Sequence, residues 1–332
     1  MLFLTIHHDV MGEALAKALT EKAREGVKVI VMYDYLANIS TPFRMFRPLV
    51  DAGGQVIRIK PYLTHYRSHR KIVTVDHEIG YIGGMNIGRQ YANLAEKKNP
   101  WRDTQVRLTG ACVATLDGYF MADLLCAVRN RDWNDTVSYM QTIRLAPQHK
   151  TSNICQFVVG GVDTNKEAVK MNYLSMIRSA KKRILIQSPY FIPDASVLDA
   201  LKTAAAAGVE IHLMIPGIKA SYFLDPVTTY YAGQIMEYGA KVYKYRGYIH
   251  AKTMTIDDEL CCIGSVNMDV RSLLVDDEIC GIFYTNDLVS EYIRIFGGDV
   301  QHCDPYSFEQ FCTRSRKERI MEGIFLPFAP LM

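Results

Sequence analysis

Two segments of the chain repeat one another, and this repeat constrains the fold more than any other feature. The first runs His69-Arg-Lys71-Ile-Val-Thr-Val-Asp76 and closes on Gly83-Gly84-Met-Asn86. The second runs His250-Ala-Lys252-Thr-Met-Thr-Ile-Asp257 and closes on Gly264-Ser265-Val-Asn267. His, Lys, Asp, Gly and Asn recur at one offset of 181 residues, and His and Asn lie 17 apart in both copies. Looser echoes flank them: residues 26–32 match 208–214, and 54–59 match 240–245. Two copies of a unit this long predict two similar half-structures rather than a solenoid.

Each half reads as strands alternating with helices. In the second half, 154–159 is a short apolar run, 167–180 has helical periodicity and 183–188 reads as a strand. An alanine-rich helix follows over 195–207, ended by Gly208, then a strand over 209–215 stopped by Pro216-Gly217. A helix over 227–238 precedes strands at 241–245, 253–256 and 261–263. This alternation predicts an α/β fold of two half-domains, each a mixed sheet flanked by helices and related by pseudo-two-fold symmetry. The expected division is 1–147 and 148–332, with a polar linker near 144–153 that contains Pro147. Aligning Gly26 with Gly208 sets Met1 opposite Arg183, so the first half lacks a counterpart of 154–182. A sheet missing that strand exposes an edge. The expectation is that a natural N-terminal segment is absent or that something else covers the gap.

Composition excludes several classes. At 49% hydrophobic and 22% charged residues, the chain is neither disordered nor collagen-like. Its eight cysteines show no C-x-x-C and no zinc-type spacing, which reads as a set of reduced, mostly buried thiols. The longest apolar stretch, 111–128, carries Asp117 and Asp123, which suits a core helix better than a membrane span. The net charge of +3 is a mild bias toward an anionic partner and does not separate nucleic acid from lipid headgroups.

The paired motifs carry the chemistry. Alternation along a strand puts His69 with Lys71, and His250 with Lys252, on one face. Asn86 and Asn267 follow the Gly-rich turns, where Gly83-Gly84 and Gly264-Ser265 let the backbone approach a ligand closely. Lys and Asn are donors suited to nonbridging phosphate oxygens. Two such sets meeting across a pseudo-two-fold axis would surround one phosphorus, with one imidazole attacking and the other protonating the leaving oxygen. The cations would stabilise the pentacoordinate state, so no metal and no cofactor is expected. No Walker A loop is present. A histidine nucleophile needs its second nitrogen held by a carboxylate. The candidates are Glu278, 28 residues after His250, and Asp103, 34 after His69. Asp76 and Asp257, at the strand ends, are expected to play structural roles.

His-x-Lys-x4-Asp followed by Gly-Ser-x-Asn, twice, resembles the phospholipase D superfamily. Tyr66-Arg-Ser-His-Arg-Lys71, Trp101-Arg-Asp103, Ser188-Pro-Tyr-Phe-Ile-Pro-Asp194 and Asn267-Met-Asp-Val-Arg-Ser272 are similar to bacterial cardiolipin synthases, as is the closing Pro327-Phe-Ala-Pro-Leu-Met332. The resemblance covers essentially the whole chain. It implies transfer of a phosphatidyl group from one phosphatidylglycerol to the hydroxyl of another through a phosphatidyl-histidine, giving cardiolipin and glycerol. It also implies His69 as nucleophile and His250 as general acid, then base, with the reverse assignment open. A phospholipase or nuclease of the same fold is the alternative. Nucleic acid is not an expected obligate partner, and the oligomeric state is open.

Asp276-Asp277-Glu278 departs from the Asn-aromatic-Glu of many relatives, and two extra carboxylates would repel an anionic substrate unless they point away. The acid that often follows the Pro-Gly-like turn is also missing around Ala220-Ser221. The resemblance places the protein at the cytoplasmic face of the cell membrane, peripheral in this chain, with N-terminal membrane helices common in the family. The basic, then apolar, stretch 314–332 is expected either to lie on an anionic bilayer with Phe325, Leu326 and Phe328 inserted, or to pack back on its domain.

Overall fold

The computed structural model describes residues 1–60, 66–94, 99–128, 154–161, 165–219, 221–284 and 286–331. The chain forms two compact units, one of 1–95 with 105–151 and one of 96–104 with 152–332. The strip 96–104 thus groups with the second unit, while the expected linker near 144–153 lies outside the described residues.

The first unit is built on one six-stranded sheet in the order β3-β2-β1-β4-β5-β7. Its strands are β1 (Leu2–Phe3), β2 (Ile30–Asp34), β3 (Gln55–Ile59), β4 (Ile72–Val75), β5 (Ile79–Gly83) and β7 (Gln105–Thr109); β6 (Trp101–Arg102) belongs to the second unit. β1, β2 and β3 run parallel, and β4, β5 and β7 continue antiparallel. Parallel neighbours need a crossover, which α1 (Val10–Arg24) and α2 (Arg47–Asp51) provide. Asp9 caps α1 through the Met11 and Gly12 amides, and Gly26, at φ +93°, turns the chain out of it. β2 is buried along its whole length, the continuous apolar pattern of a parallel strand covered on both faces. The apolar stretch read as a core helix is α3 (Ala111–Ala127). It buries Val113, Leu116, Phe120 and Leu124, and its two acids are paired, Asp117 with His77 Nδ1 at 2.7 Å and Asp123 with Arg70.

The second unit carries eight strands in the order β18-β12-β11-β9-β14-β15-β17-β8. In chain order they are β8 (Cys155–Gly160), β9 (Arg183–Gln187), β11 (Glu210–Pro216), β12 (Lys241–Tyr245), β14 (Thr253–Ile256), β15 (Leu260–Gly264), β17 (Glu278–Phe283) and β18 (Cys303–Tyr306). Two short parallel pairs stand apart: β10 (Phe191–Ile192) with β16 (Met268–Asp269), and β6 with β13 (Tyr248–Ile249). The helices are α4 (Ala168–Ser179), α5 (Ala195–Ala206), α6 (Leu224–Met236), α7 (Val270–Leu274), α8 (Asn286–Val300), α9 (Phe308–Cys312) and α10 (Arg316–Phe325). α6 starts three residues before the expected position: Ser221 Oγ accepts from the Leu224 amide, a polar start that the apolar pattern did not reveal. The core joins Leu213, Ile184 and Met254 of the sheet to Val169 and Ile177 of α4 and Leu201 of α5. Each fully buried aliphatic side chain contributes about 1.5–3 kcal/mol.

The duplication appears at the level of register. Ile72 pairs with Ile82 in the first unit, and Thr253 with Ile263 in the second, each displaced by 181. Both hairpins turn through two residues of positive φ, Asp76 and His77 at 52° and 61°, Asp257 and Asp258 at 51° and 64°. Asp tolerates this left-handed region better than most residues. Asp257 has the expected structural role, because its carboxylate accepts from the Lys181, Lys182 and Arg183 amides at 2.5, 2.7 and 2.9 Å and so fixes the start of β9. Asp76 is exposed at the equivalent turn.

The C-terminal stretch packs back on its own unit. Phe325 and Leu326 lie against Ile192, Val227 and Ala329, whereas Phe328 is exposed. Among the described residues no helix is long and apolar enough to cross a membrane.

Candidate active site

The site in the second unit is set by one strand pairing. Tyr248 and Ile249 of β13 pair in parallel with Trp101 and Arg102 of β6. The next residue on each strand is His250 and Asp103. The register therefore brings them side by side, with His250 Nδ1 2.6 Å from Asp103 Oδ2. The His250 amide donates to Arg102 O at 2.6 Å, which locks this alignment. The imidazole is 11% exposed and the carboxylate 3%. A carboxylate only accepts, so Nδ1 carries the proton and Nε2 is the exchanging nitrogen. The Trp101 ring lies 5.5 Å from the imidazole and 4.3 Å from the Tyr248 ring, walling one side.

This overturns the pairing expected from sequence proximity. Asp103, which follows His69 by 34 residues, holds His250. Glu278, expected on His250, instead accepts from Ser265 Oγ and is fully buried at the start of β17. Ser265 also receives the Ile279 amide at 3.0 Å, so its hydroxyl joins two strands. Gly264 does not open space for a ligand: a Cβ there would collide with Ile279 O and Cys280 Cα. In the first unit Gly84 is buried just after β5.

Lys252 and Lys71 adopt one geometry. Each Nζ donates to the carbonyl of the histidine two residues earlier, at 2.5 Å in both units, and each side chain is essentially buried. Burial lowers the Lys252 ammonium from 10.5 to about 8, against the opposing pull of Asp103, Glu278 and Asp269. Asn267 is buried and its Oδ1 has no hydrogen-bond partner among the described residues. Asn86 ties its own unit together, accepting from the Thr5 amide at 3.2 Å and donating to Tyr91 Oη at 3.0 Å. His69 is also buried, at 9% exposure.

Several supporting groups were not legible in the sequence. Arg102 donates from Nε to Asp299 at 2.9 Å, Asp299 accepts from Gln187 at 2.9 Å, and Tyr292 donates to Gln187 at 2.7 Å. This buried chain anchors β6, and with it Asp103, to β9 and α8. Asp269 caps α7 through the Ser272 amide at 2.8 Å, and burial pushes its carboxyl up to about 6. Trp101-Arg-Asp103 gave a local signal, whereas Gln187, Asp299 and Tyr292 gave none, because their meeting depends on strand order. The added acid Asp276 is turned onto Arg271, 2.7 Å away, so it is held by an ion pair. Among the described residues no group of three or more His, Cys, Asp or Glu side chains is arranged to hold a metal.

Residues 173–300 match the family described as cardiolipin synthase, PLD-like domain. The chain is 36% identical to the major cardiolipin synthase ClsA of Bacillus subtilis strain 168, covering 98% of this chain and 68% of that protein. It is 34% identical to a cardiolipin synthase of Listeria monocytogenes serotype 4a strain HCC23, covering 100% of this chain and 70% of that one. Among solved structures, phosphatidylserine synthase from Haemophilus influenzae Rd KW20 aligns with a TM-score of 0.76 at 14% identity, over 99% of this chain and 86% of that one. Polyphosphate kinase from Porphyromonas gingivalis aligns at 0.61 and 15% identity, over 98% and 48%. At such identities these two report the fold alone. The repeated His-Lys-Asp motif, the paired sheet registers and the likeness along the whole of this chain agree: the chain belongs to the cardiolipin synthase family of the phospholipase D superfamily.

Proposed function

We propose that the protein is a phosphatidyltransferase that converts two molecules of phosphatidylglycerol into cardiolipin and glycerol. The observation that carries this reading is the buried Asp103–His250 pair at 2.6 Å, which fixes one tautomer and leaves Nε2 to carry a proton. In the first step a lone pair of His69 attacks phosphorus, the P–O bond to the headgroup glycerol breaks, and His250 gives that oxygen its proton. Glycerol leaves and the phosphatidyl group stays on His69. In the second step the terminal hydroxyl of another phosphatidylglycerol loses its proton to His250 and attacks phosphorus as the P–N bond breaks. Both histidines return to their starting states. Lys71, Lys252, Asn86 and Asn267 serve the nonbridging oxygens as charge builds on them. One phosphodiester replaces another, so the exchange is nearly isoenergetic and needs no nucleotide.

The same reading puts the protein on an anionic bilayer. Ile320 and Ile324 share a stripe of α10 and are 52% and 51% exposed, Phe328 and Leu331 follow at 52% and 72%, and Arg316, Lys317 and Arg319 flank them. An apolar stripe edged by cations complements an anionic surface at the cytoplasmic face. Incubating the purified chain with vesicles of headgroup-labelled phosphatidylglycerol tests the activity. Labelled glycerol and cardiolipin in equal amounts are expected. Glycerol with phosphatidic acid as the sole lipid product would mark a hydrolase instead.

A further inference from the structure

The second unit holds a cavity of about 430 Å³ that none of the proposed catalytic residues lines. Its walls come from the turn after β11, the start of α6 and the start of α10, and it brings Lys219, Lys244 and Lys317 together with Arg314. Its three acids each have a hydrogen-bond or ion-pair partner, and Glu318 also attracts Lys219 and Lys244 at longer range. Glu322 is paired with Arg314 at 2.7 Å, Glu318 accepts from the Ser315 amide and hydroxyl at 2.9 and 2.7 Å, and Asp225 accepts from the Ser221 amide at 3.1 Å. Among the described residues no carboxylate lies within 4 Å of the ammonium of Lys219, Lys244 or Lys317. Lys244 sits over the Tyr306 ring at 3.6 Å, and burial lowers its affinity for its proton.

The cavity adjoins the turn between β12 and β13, the segment that leads to His250. The Gly217 amide on its wall donates to Tyr245 O at 2.8 Å and Gly247 O at 3.3 Å. A side chain on Gly217 would strike Tyr245 O, so this close approach requires glycine. The opening is edged by Tyr222, 86% exposed, beside Phe223 at 49%, and α10, which forms one wall, bears the exposed Ile320 and Ile324. A largely apolar chamber that holds ammonium groups without a directly bonded carboxylate matches a phosphate whose ester carries acyl chains.

We propose that this cavity seats the phosphate of the acceptor phospholipid, the molecule whose hydroxyl His250 activates. The inference rests on the transferase reading above. Lys219 and Lys244 hold the acceptor phosphate while the exposed rim takes its acyl chains, so the cavity decides whether a lipid hydroxyl or water reaches the phosphatidyl-enzyme.

The test pairs Lys219→Ala with Lys244→Gln in the full chain and also follows Lys219→Ala alone, since Lys219 is exposed and tolerates truncation. Unchanged thermal melting establishes that both variants fold. With phosphatidylglycerol vesicles, the double variant is expected to consume substrate within about twofold of the parent rate while its ratio of cardiolipin to phosphatidic acid falls about tenfold, the loss due to a few weakened phosphate contacts. The single variant is expected to fall between. An unchanged ratio overturns the acceptor site even if the parent chain makes cardiolipin. Calorimetric titration of chains that also carry His69→Ala reads the site without turnover: dihexanoylphosphatidylglycerol is expected to bind with one more equivalent when Lys219 and Lys244 are intact than when both are replaced. Equal stoichiometry overturns the site whether or not cardiolipin forms, and inorganic phosphate filling the extra equivalent in place of the lipid marks a free-anion site and overturns the lipid assignment.

Discussion

In the proposed mechanism His250 depends on Asp103, which fixes its tautomer. Asp103→Asn keeps the shape of the contact and removes its charge, and the amide offers a donor where an acceptor is required. In a comparable catalytic dyad that change costs about 10⁴ in turnover. We expect transfer to fall by at least about 10³ with thermal stability little altered, measured as initial cardiolipin formation beside a melting curve; activity within tenfold of the parent would remove Asp103 from the mechanism. Lys252 adds a pH limit. Its ammonium, lowered from 10.5 to about 8, discharges as pH rises through about 8, so transfer should decline there and not near 10. The same shift means that the unfolded chain binds more protons between about 8 and 10.5, so this group's contribution to stability rises with pH over that window. Asp269 acts oppositely. With its carboxyl raised from 3.8 to about 6, the folded chain binds the extra proton and stability falls as pH rises from about 4 to 6. Asp269→Asn preserves the cap and should flatten that slope in urea titrations across the same range.

At the scale of elements, the sequence disclosed most of the strands and helices because the motif spacing survives as register. β14 and β15 stand where the 181-residue offset from β4 and β5 puts them, and α3 is the core helix that its two acids suggested. Pairings between strands far apart in sequence were not legible. Asp103 meets His250 because β6 joins β13, and proximity along the chain suggested His69 instead. Gly264 likewise looked like room for a ligand, yet it lets β15 pass β17 closely. Gly264→Ala should therefore lower stability by several kcal/mol, roughly the range of core overpacking and above, read as a drop in urea midpoint. Asp257→Ala removes a carboxylate from three backbone amides. Burial pushes that carboxyl up, but the three donors outweigh it and hold it below its ordinary 3.8. The loss should be about 2–4 kcal/mol, and any protein that remains folded should retain its rate.

At the scale of the whole molecule, the mild net charge of +3 hid where the cations gather. The C-terminal stretch was legible as basic and then apolar. Which of its residues face outward was not, since that depends on Phe325 and Leu326 finding Ile192 and Val227. Ile324→Asp with Phe328→Asp should weaken flotation with phosphatidylglycerol vesicles about tenfold or more, and raising salt should weaken the parent; flotation unaffected by either would exclude this face. Two displacements through His69 require two inversions at phosphorus. The most direct measurement therefore follows a phosphatidylglycerol made chiral at phosphorus by sulfur substitution through a single transfer. Retained configuration in the cardiolipin is the predicted result, and inversion would contradict a histidine-bound intermediate.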